Sequence, residues 1–194
     1  MQSSALTCLS DVQFHRLLLR FDEDRAREVR AQRCSDCRGV LHAAPYPRKP
    51  RGSAVPLSPE DCVRFSFCCA QEGCRHRATP PSLRFLGPKV YLGAVVVLIA
   101  ALRCGATPVR MQRLKELVGV SRQTVLRWQQ WWQQVLPETA FWRSACGALR
   151  TPVDHGELPQ SLWEQFAGDV TERLMALLRF LAPLTGGRRG RKIM

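Results

Sequence analysis

Two closely spaced pairs of cysteines, in a segment rich in proline and glycine, constrain the fold of this chain most. Cys34 and Cys37 form a C-x2-C pair, and Cys69 and Cys74 form a later C-x4-C pair. The surrounding stretch, residues 34–87, lacks helical periodicity and is too short to bury much apolar surface. Such a module needs a cross-link, and four thiolates are a typical ligand set of tetrahedral structural zinc.

The N-terminus bears on whether these cysteines bind metal or form disulfides. The opening MQSSALTCLSDVQFHRLLLRF lacks the cationic end and the apolar stretch of a signal peptide. We therefore expect a cytoplasmic protein with reduced cysteines rather than a disulfide framework. The predicted cofactor is structural Zn²⁺, held by Cys34, Cys37, Cys69 and Cys74, with no coordination position left open for catalysis.

The sequence leaves open which cysteine begins the second pair of ligands. Cys68 is adjacent to Cys69, and a C-x5-C pair from Cys68 to Cys74 would also serve. Strand alternation places Phe65, Phe67 and Cys69 on one face, which favours Cys69 without deciding which sulfur faces the metal. Spare candidate ligands are Cys62, His42 and His76, whereas the isolated Cys8, Cys104 and Cys146 are expected to be buried apolar residues.

Periodicity and helix-breaking residues divide the chain into five segments. The predicted segments are an N-terminal helix in 1–33, a zinc-ribbon-like module in 34–87, a helix-turn-helix in 88–137, C-terminal helices in 138–185 and a basic tail in 186–194. The predicted helices cover 11–33, 88 or 89 to 103, 109–118, 121–135, 161–166 and 170–181. The predicted fold class is therefore α+β, mostly α, with the β-strands in the small zinc-ribbon-like module.

The positive charge of the chain is concentrated in its middle and at its end. The net charge is +13 and the isoelectric point is near 10.1. Residues 31–89 carry 10 basic and 4 acidic groups, and residues 90–137 carry 6 and 1. This clustering predicts a polyanionic partner, double-stranded DNA. No membrane partner is expected, because the most apolar run, residues 90–102, is shorter than the ~20 residues that span a bilayer.

The stretch MQRLKELVGVSRQTVLRWQQ, residues 111–130, has the pattern of a helix-turn-helix. Gly119 allows a sharp turn, Ser121 is a good N-cap, and Val125 and Trp128 form an inner face. Arginine suits guanine, glutamine suits adenine, and an apolar side chain can touch a thymine methyl group. The predicted DNA-binding residues are Ser121, Arg122, Gln123, Leu126, Arg127 and Gln130 on the second helix, with Arg48, Lys49 and Arg51 on a proline-flanked loop.

The segment LKELVGVSRQTVLRW resembles the helix-turn-helix of bacterial transposases and repressors, although Lys115 stands where a small residue is usual. With the cysteine pairs and the connecting ATPPSLRFLG, residues 34–136 resemble the DNA-binding region of bacterial insertion-sequence transposases and their small companion proteins. The resemblance implies sequence-specific DNA binding in a mobile element, beside a separately encoded transposase or recombinase.

The acidic residues that follow the helix-turn-helix do not suggest a catalytic centre. They lie within a linker and on helix surfaces, with no strand pattern that would bring three carboxylates to two metal ions. The prediction is a non-catalytic protein. The alternatives are a stand-alone transcriptional regulator and a zinc-dependent protein-interaction scaffold, and the Trp- and Leu-rich C-terminal helices would suit a homodimer in each case.

Overall fold

The structure is a computed structural model that describes residues 9–53, 55–86, 91–101, 116 and 118–187. The helices are α1 Val12–Ala31, α2 Gly93–Ala101, α3 Arg122–Gln130, α4 Ala140–Ala145, α5 Gln160–Trp163 and α6 Val170–Leu181. The strands are β1 Leu41–Ala43, β2 Tyr46–Pro47, β3 Val63–Arg64, β4 Phe67–Cys69 and β5 Arg77–Ala78. The described residues confirm an α+β chain in which helix predominates.

The five strands form two small antiparallel sheets. One sheet has the order β1-β4-β5, with Leu41 opposite Cys69 and Phe67 opposite Ala78. The other is the pair β2-β3, in which Tyr46 lies opposite Arg64. Residues 34–78, which contain both sheets, are called the metal module below.

Helix α1 contributes to two separate hydrophobic cores. Asp11 caps its start by accepting from the Gln13 amide at 2.8 Å. Phe14 and Leu18 pack with helices α2 to α6 in the larger core, whereas Ala26 packs in the small core of the metal module. One helix therefore connects the metal module to the helical body, which consists of α2–α6 and the first half of α1.

Helix α2 lies at the centre of the helical body. It packs against α3, α5 and α6, and the side chains of Val95, Val96 and Val97 are fully buried. A helix that is apolar on all sides is stable in water only when it is enclosed in this way. Helix α6, Val170–Leu181, matches the predicted helix and packs through one apolar face, since Leu174, Leu177, Leu178 and Leu181 are all buried.

Several helix boundaries differ from the sequence prediction. Helix α2 begins at Gly93 rather than at residue 88 or 89, because Tyr91 and Leu92 form β-bridges with Arg51 and Phe85. Helix α4, capped by Thr139, lies in the predicted C-terminal helical segment but outside both helices predicted there, 161–166 and 170–181. Helix α3 continues as a π-helical turn, Trp131–Val135, and this continuous stretch ends before Pro137 as predicted.

A buried polar network joins the connecting segment, residues 79–86, to α1. The carboxylate of Asp22 accepts hydrogen bonds from Ser82 Oγ at 2.5 Å, from the Leu83 amide at 2.7 Å and from Arg84 Nε at 2.8 Å. The Arg84 guanidinium also donates to the carbonyls of Glu60, Asp61 and Val63. These bonds attach the metal module, α1 and the connecting segment to one another.

A second buried arginine extends these attachments to the C-terminal end of the fold. Arg64 donates to the carbonyl oxygens of Pro80 and Thr185. Burial lowers the pKa of its guanidinium, against the opposing charge of Asp22. Thr185 in turn accepts from the Ser82 amide at 2.7 Å, so the chain after α6 lies against the connecting segment.

None of the described helices combines the length and the apolar character needed to cross a membrane.

Candidate metal centre and nucleic-acid interface

Two tight turns place four cysteine sulfurs next to one another. Cys34 and Cys37 lie in the turn after α1, closed by hydrogen bonds from the Cys34 amide to Gly39 O and from the Arg38 amide to Cys34 O, both at 3.0 Å. Cys69 ends β4, and Cys74 lies in the turn that follows. In that turn Gly73 has a φ of +82°, a conformation that glycine adopts without strain.

The distances among the four sulfurs fit a metal site. All four Sγ atoms lie within 4.8 Å of one another. Cys34 Sγ is 3.7 Å from Cys74 Sγ, and Cys37 Sγ is 3.4 Å from Cys69 Sγ. A tetrahedral site with bonds of about 2.3 Å requires sulfurs about 3.8 Å apart, whereas a disulfide requires about 2.05 Å. The four cysteines are therefore free thiols, close enough to hold a metal ion.

The electrostatics of this cysteine cluster favour a bound cation. Hydrogen bonds from the amides of Cys37 and Asp36 lower the pKa of Cys34 to about 7. An amide donor from His76 also lowers the pKa of Cys74, but the neighbouring sulfurs and burial outweigh it and raise this pKa to about 12. Cys34 therefore ionises more readily than an ordinary thiol, and a divalent cation bound among the sulfurs would favour the thiolate form of the others.

Cys69, rather than the adjacent Cys68, belongs to the cysteine cluster. The Gln71 amide donates to Cys69 Sγ at 3.4 Å and lowers the Cys69 pKa, although burial and the Cys37 thiol raise it overall. Cys68 Sγ instead lies near the carbonyl oxygens of Cys69 and Arg75. Strand pleating explains the difference, because successive side chains point to opposite faces of the sheet.

The spare candidate ligands occupy other positions. His76 does not join the cluster: its Nδ1 lies 2.8 Å from the Asp36 carboxylate, which links the two cysteine-bearing turns. His42 is exposed on β1, opposite Cys68. Cys62 lies in a short 3-10 turn, and Cys146 is half-buried against the main core. Cys8 and Cys104 fall outside the described residues.

Gly39 is required by space rather than by backbone conformation. The left-handed φ of 61° in the turn after the first cysteine pair belongs to Arg38 and not to Gly39. A Cβ atom at Gly39 would lie 3.1 Å from Cys69 Sγ and 3.2 Å from Cys37 Sγ. A larger residue would therefore push against two of the four sulfurs.

The chain around α3 has the predicted local features. Gly119 has a φ of +65°, Val120 is fully buried, and Ser121 Oγ caps α3 by accepting from the Thr124 amide at 3.2 Å. Val125 and Trp128 are buried on the inner face of α3. Of the predicted first helix, residues 109–118, only Glu116 and Val118 are described, both as helical, and Lys115 lies outside the described residues.

The opposite face of α3 is open to solvent. Its exposed residues are Ser121, Arg122, Gln123, Leu126, Arg127 and Gln130. Leu126 is 47% exposed, so its side chain is accessible on this face. This face combines hydrogen-bond donors, acceptors and one apolar side chain, and none of the described carboxylates lies on α3.

The basic loop, residues 48–51, leaves β2 and runs toward the helical body. Lys49 and Arg51 are exposed, and the Arg48 guanidinium lies over the Phe85 ring, 5.6 Å from its centroid. Arg75 and Arg77 are also exposed, and Arg77 lies over the Tyr46 ring. The four basic residues of the predicted tail lie outside the described residues.

Two polar contacts were not predicted from the sequence, namely Asp22 with Arg84 and Asp36 with His76. Asp22 belongs to the charged run DEDRAREVR, which resembles a solvated helix face. The signal that could have identified it is helical spacing, because Phe14, Leu18, Asp22 and Ala26 recur every four residues on one side of α1.

Comparison with known proteins identifies no relative: no family model matches the sequence, and no curated protein or solved structure matches it either.

Proposed function

We propose that this protein binds double-stranded DNA sequence-specifically through the exposed face of α3. The supporting observation is the division of that helix into two faces. Val125 and Trp128 are buried, whereas the predicted DNA-binding residues of α3 and its cap are all exposed. In a helix-turn-helix the second helix enters the major groove, and the residues near its N-terminus meet the base edges.

Four of these exposed residues have side chains whose chemistry suits contact with base edges. Arg122 and Arg127 can donate two hydrogen bonds to guanine, Gln123 can pair with adenine, and Leu126 can touch a thymine methyl group. The N-terminal end of α3 carries the positive end of the helix dipole and amide donors that suit phosphate. These contacts would supply base recognition and orientation together.

Selection of bound duplexes from a random DNA pool tests this proposal. We expect a defined consensus for the metal-loaded protein and a loss of about 1–3 kcal/mol of binding free energy for Arg122→Ala, with relaxed preference at one base position. Arg150→Ala removes one exposed charge from another part of the chain and serves as the matched control. Random sequences in the bound pool, or equal discrimination by both variants, would refute the proposal.

We propose that the cysteine cluster holds one structural Zn²⁺ ion. Four sulfur ligands in this geometry suit zinc, which would supply folding energy to the metal module and leave no position for a reactive water. Circular dichroism before and after addition of a strong chelator tests this. The strands of the metal module and the end of α1 should be lost, and α2–α6 should largely remain; an unchanged spectrum and melting curve in metal-free protein would contradict the proposal.

We propose a mobile element as the biological setting, with this chain as a non-catalytic DNA-binding protein beside a separately encoded transposase or recombinase. This rests on the resemblance of residues 34–136 to the DNA-binding region of insertion-sequence transposases. The selected consensus provides the test, because it should occur in the terminal inverted repeats of an element that encodes the chain. A consensus found only at promoters would instead indicate a transcriptional regulator.

A further inference from the structure

The basic loop, residues 48–51, is attached to the helical body at its C-terminal end. Arg51 pairs with Tyr91 in a parallel β-bridge, and the Leu92 amide donates to the Arg51 carbonyl at 3.1 Å. Neighbouring strands lie about 4.8 Å apart, so Arg51 lies directly beside the residues that lead into α2. The loop is therefore held at a defined place and is not a free arm.

Gly52 lets the loop lie this close to α2. It is buried, has a φ of +90°, and a Cβ atom there would lie 3.0 Å from both Cγ atoms of Val95. At its other end the loop is continuous with β2, and the Arg48 amide donates to the Cys62 carbonyl. The loop thus bridges the metal module and the helical body.

One side chain reaches from this attachment to the turn that precedes α3. The Tyr91 hydroxyl donates to the Gly119 carbonyl at 3.3 Å. The Tyr91 ring packs edge-on against the Trp128 ring, with centroids 5.0 Å apart. The loop and the turn before α3 are therefore separated by a single tyrosine side chain and a single strand spacing.

The charges on these elements favour a polyanion. The loop and α3 carry Arg48, Lys49, Arg51, Arg122 and Arg127, against the two carboxylates of the adjoining 3-10 turn, residues 60–62. The Asp61 carboxylate already accepts hydrogen bonds from the amide and the hydroxyl of Ser58. The balance of charge across the loop and α3 is positive.

We infer that the loop and α3 form one composite DNA-binding surface, an inference that rests on the proposed function. The major groove is about 12 Å wide. Cations of the basic loop, which lie about one tyrosine side chain from the turn before α3, would therefore meet the phosphates that border the groove. Lys49 and Arg51 would then contact backbone outside the segment read by α3. The partner is a duplex longer than the one α3 alone would cover.

Salt dependence on two duplex lengths tests this inference. Binding of the selected sequence is measured by fluorescence anisotropy in duplexes of about 10 and about 20 base pairs, one and two helical turns. For the double variant Lys49→Ala/Arg51→Ala, the slope of log K against log salt should fall by about 1.8 on the long duplex, at about 0.9 per phosphate contact. The short duplex should show little change.

The matched control is Arg143→Ala/Arg150→Ala, which removes the same charge from exposed positions elsewhere and should alter neither slope. If the double variant Lys49→Ala/Arg51→Ala lowers the salt slope equally on both duplexes, or on neither, the composite surface is refuted. In that case the proposed function still holds if the wild-type protein prefers its selected sequence and if Arg122→Ala weakens this preference. If the wild-type protein shows no sequence preference, the proposed function fails and this inference fails with it.

The variant Gly52→Ala tests whether the basic loop must be held against α2 to contact DNA or acts as a flexible cationic arm. This variant keeps every charge but pushes the loop away from Val95, so the long-duplex slope should fall toward that of the double variant. A wild-type slope would refute docking. Hydroxyl-radical footprinting provides a readout that needs no Gly52 variant: the loop variant should lose protection only beyond the groove segment, and loss elsewhere or nowhere would overturn the inference.

Discussion

Replacing Asp22 by asparagine should destabilise this protein strongly, although the side chain keeps its size and α1 keeps its apolar contacts. The Asp22 carboxylate has no exposed surface, and the Arg84 side chain bonded to it is only 3% exposed. Asparagine has nearly the same shape, so the change leaves no cavity. It removes the negative charge and places an amide donor among three existing donors.

The loss of unfolding free energy can be estimated from the Arg84 charge, which stays buried after Asp22 is replaced. Removing one partner of a buried ion pair costs about 3–5 kcal/mol, because the other charge keeps its desolvation cost without compensation. The guanidinium of Arg84 would retain its three carbonyl acceptors, which limits the loss to that range. Typical domains are stable by only about 5–15 kcal/mol, so the variant would be close to unfolding.

Urea unfolding of the metal-loaded protein, followed by circular dichroism, measures this loss. The matched control is Asp24→Asn, two residues along α1, where an exposed ion pair with Arg27 should contribute less than about 0.5 kcal/mol. Adding Arg84→Met to Asp22→Asn should cost less than the sum of the single changes, since it removes the uncompensated charge. If Asp22→Asn loses no more than Asp24→Asn, the account of the buried network is wrong.

Three further predictions concern the metal module and the cap of α3. Cys69→Ser should abolish stoichiometric binding of one metal ion, whereas Cys68→Ser should retain it, as titration with zinc against a chromophoric chelator would show; equal retention would remove Cys69 from the ligand set. Gly39→Ala should weaken metal affinity about 10–100-fold by displacing two sulfurs, and Gly147→Ala, where a Cβ meets no atom within 4 Å, should leave affinity unchanged in the same titration. Ser121→Ala should lower the free energy of unfolding by about 1 kcal/mol through loss of the α3 cap, and Ser121→Asp should restore most of it in urea melts; no difference between the two would argue against the cap.

Much of the local structure could be predicted from the sequence, because its signals act over a few residues. The start of α1 at Asp11, the positive φ of Gly119, the cap at Ser121 and the buried leucines of α6 follow from capping, turn and periodicity rules. The grouping of two cysteine pairs also follows from their spacing and from the small core that the segment can form. These local features depend little on the packing of segments that are far apart in the chain.

Other features could not be predicted because they depend on contacts between residues far apart in the chain. Strand alternation leaves the choice between Cys68 and Cys69 open, because the face of β4 that turns toward Cys34 and Cys37 depends on how β4 packs in the fold. Asp22 looks like a surface residue until the connecting segment, 60 residues later, supplies its donors.

The sequence by itself therefore determined most of the helices, the cap at Ser121 and the two cysteine pairs, whereas it left the choice between Cys68 and Cys69 open. Only the tertiary structure decided that the basic loop lies beside the turn before α3, through the pairing of Arg51 with Tyr91. The physical reason is that a cap or a helical face is stabilised within a few residues, whereas a β-bridge or a buried ion pair exists only after distant segments have packed.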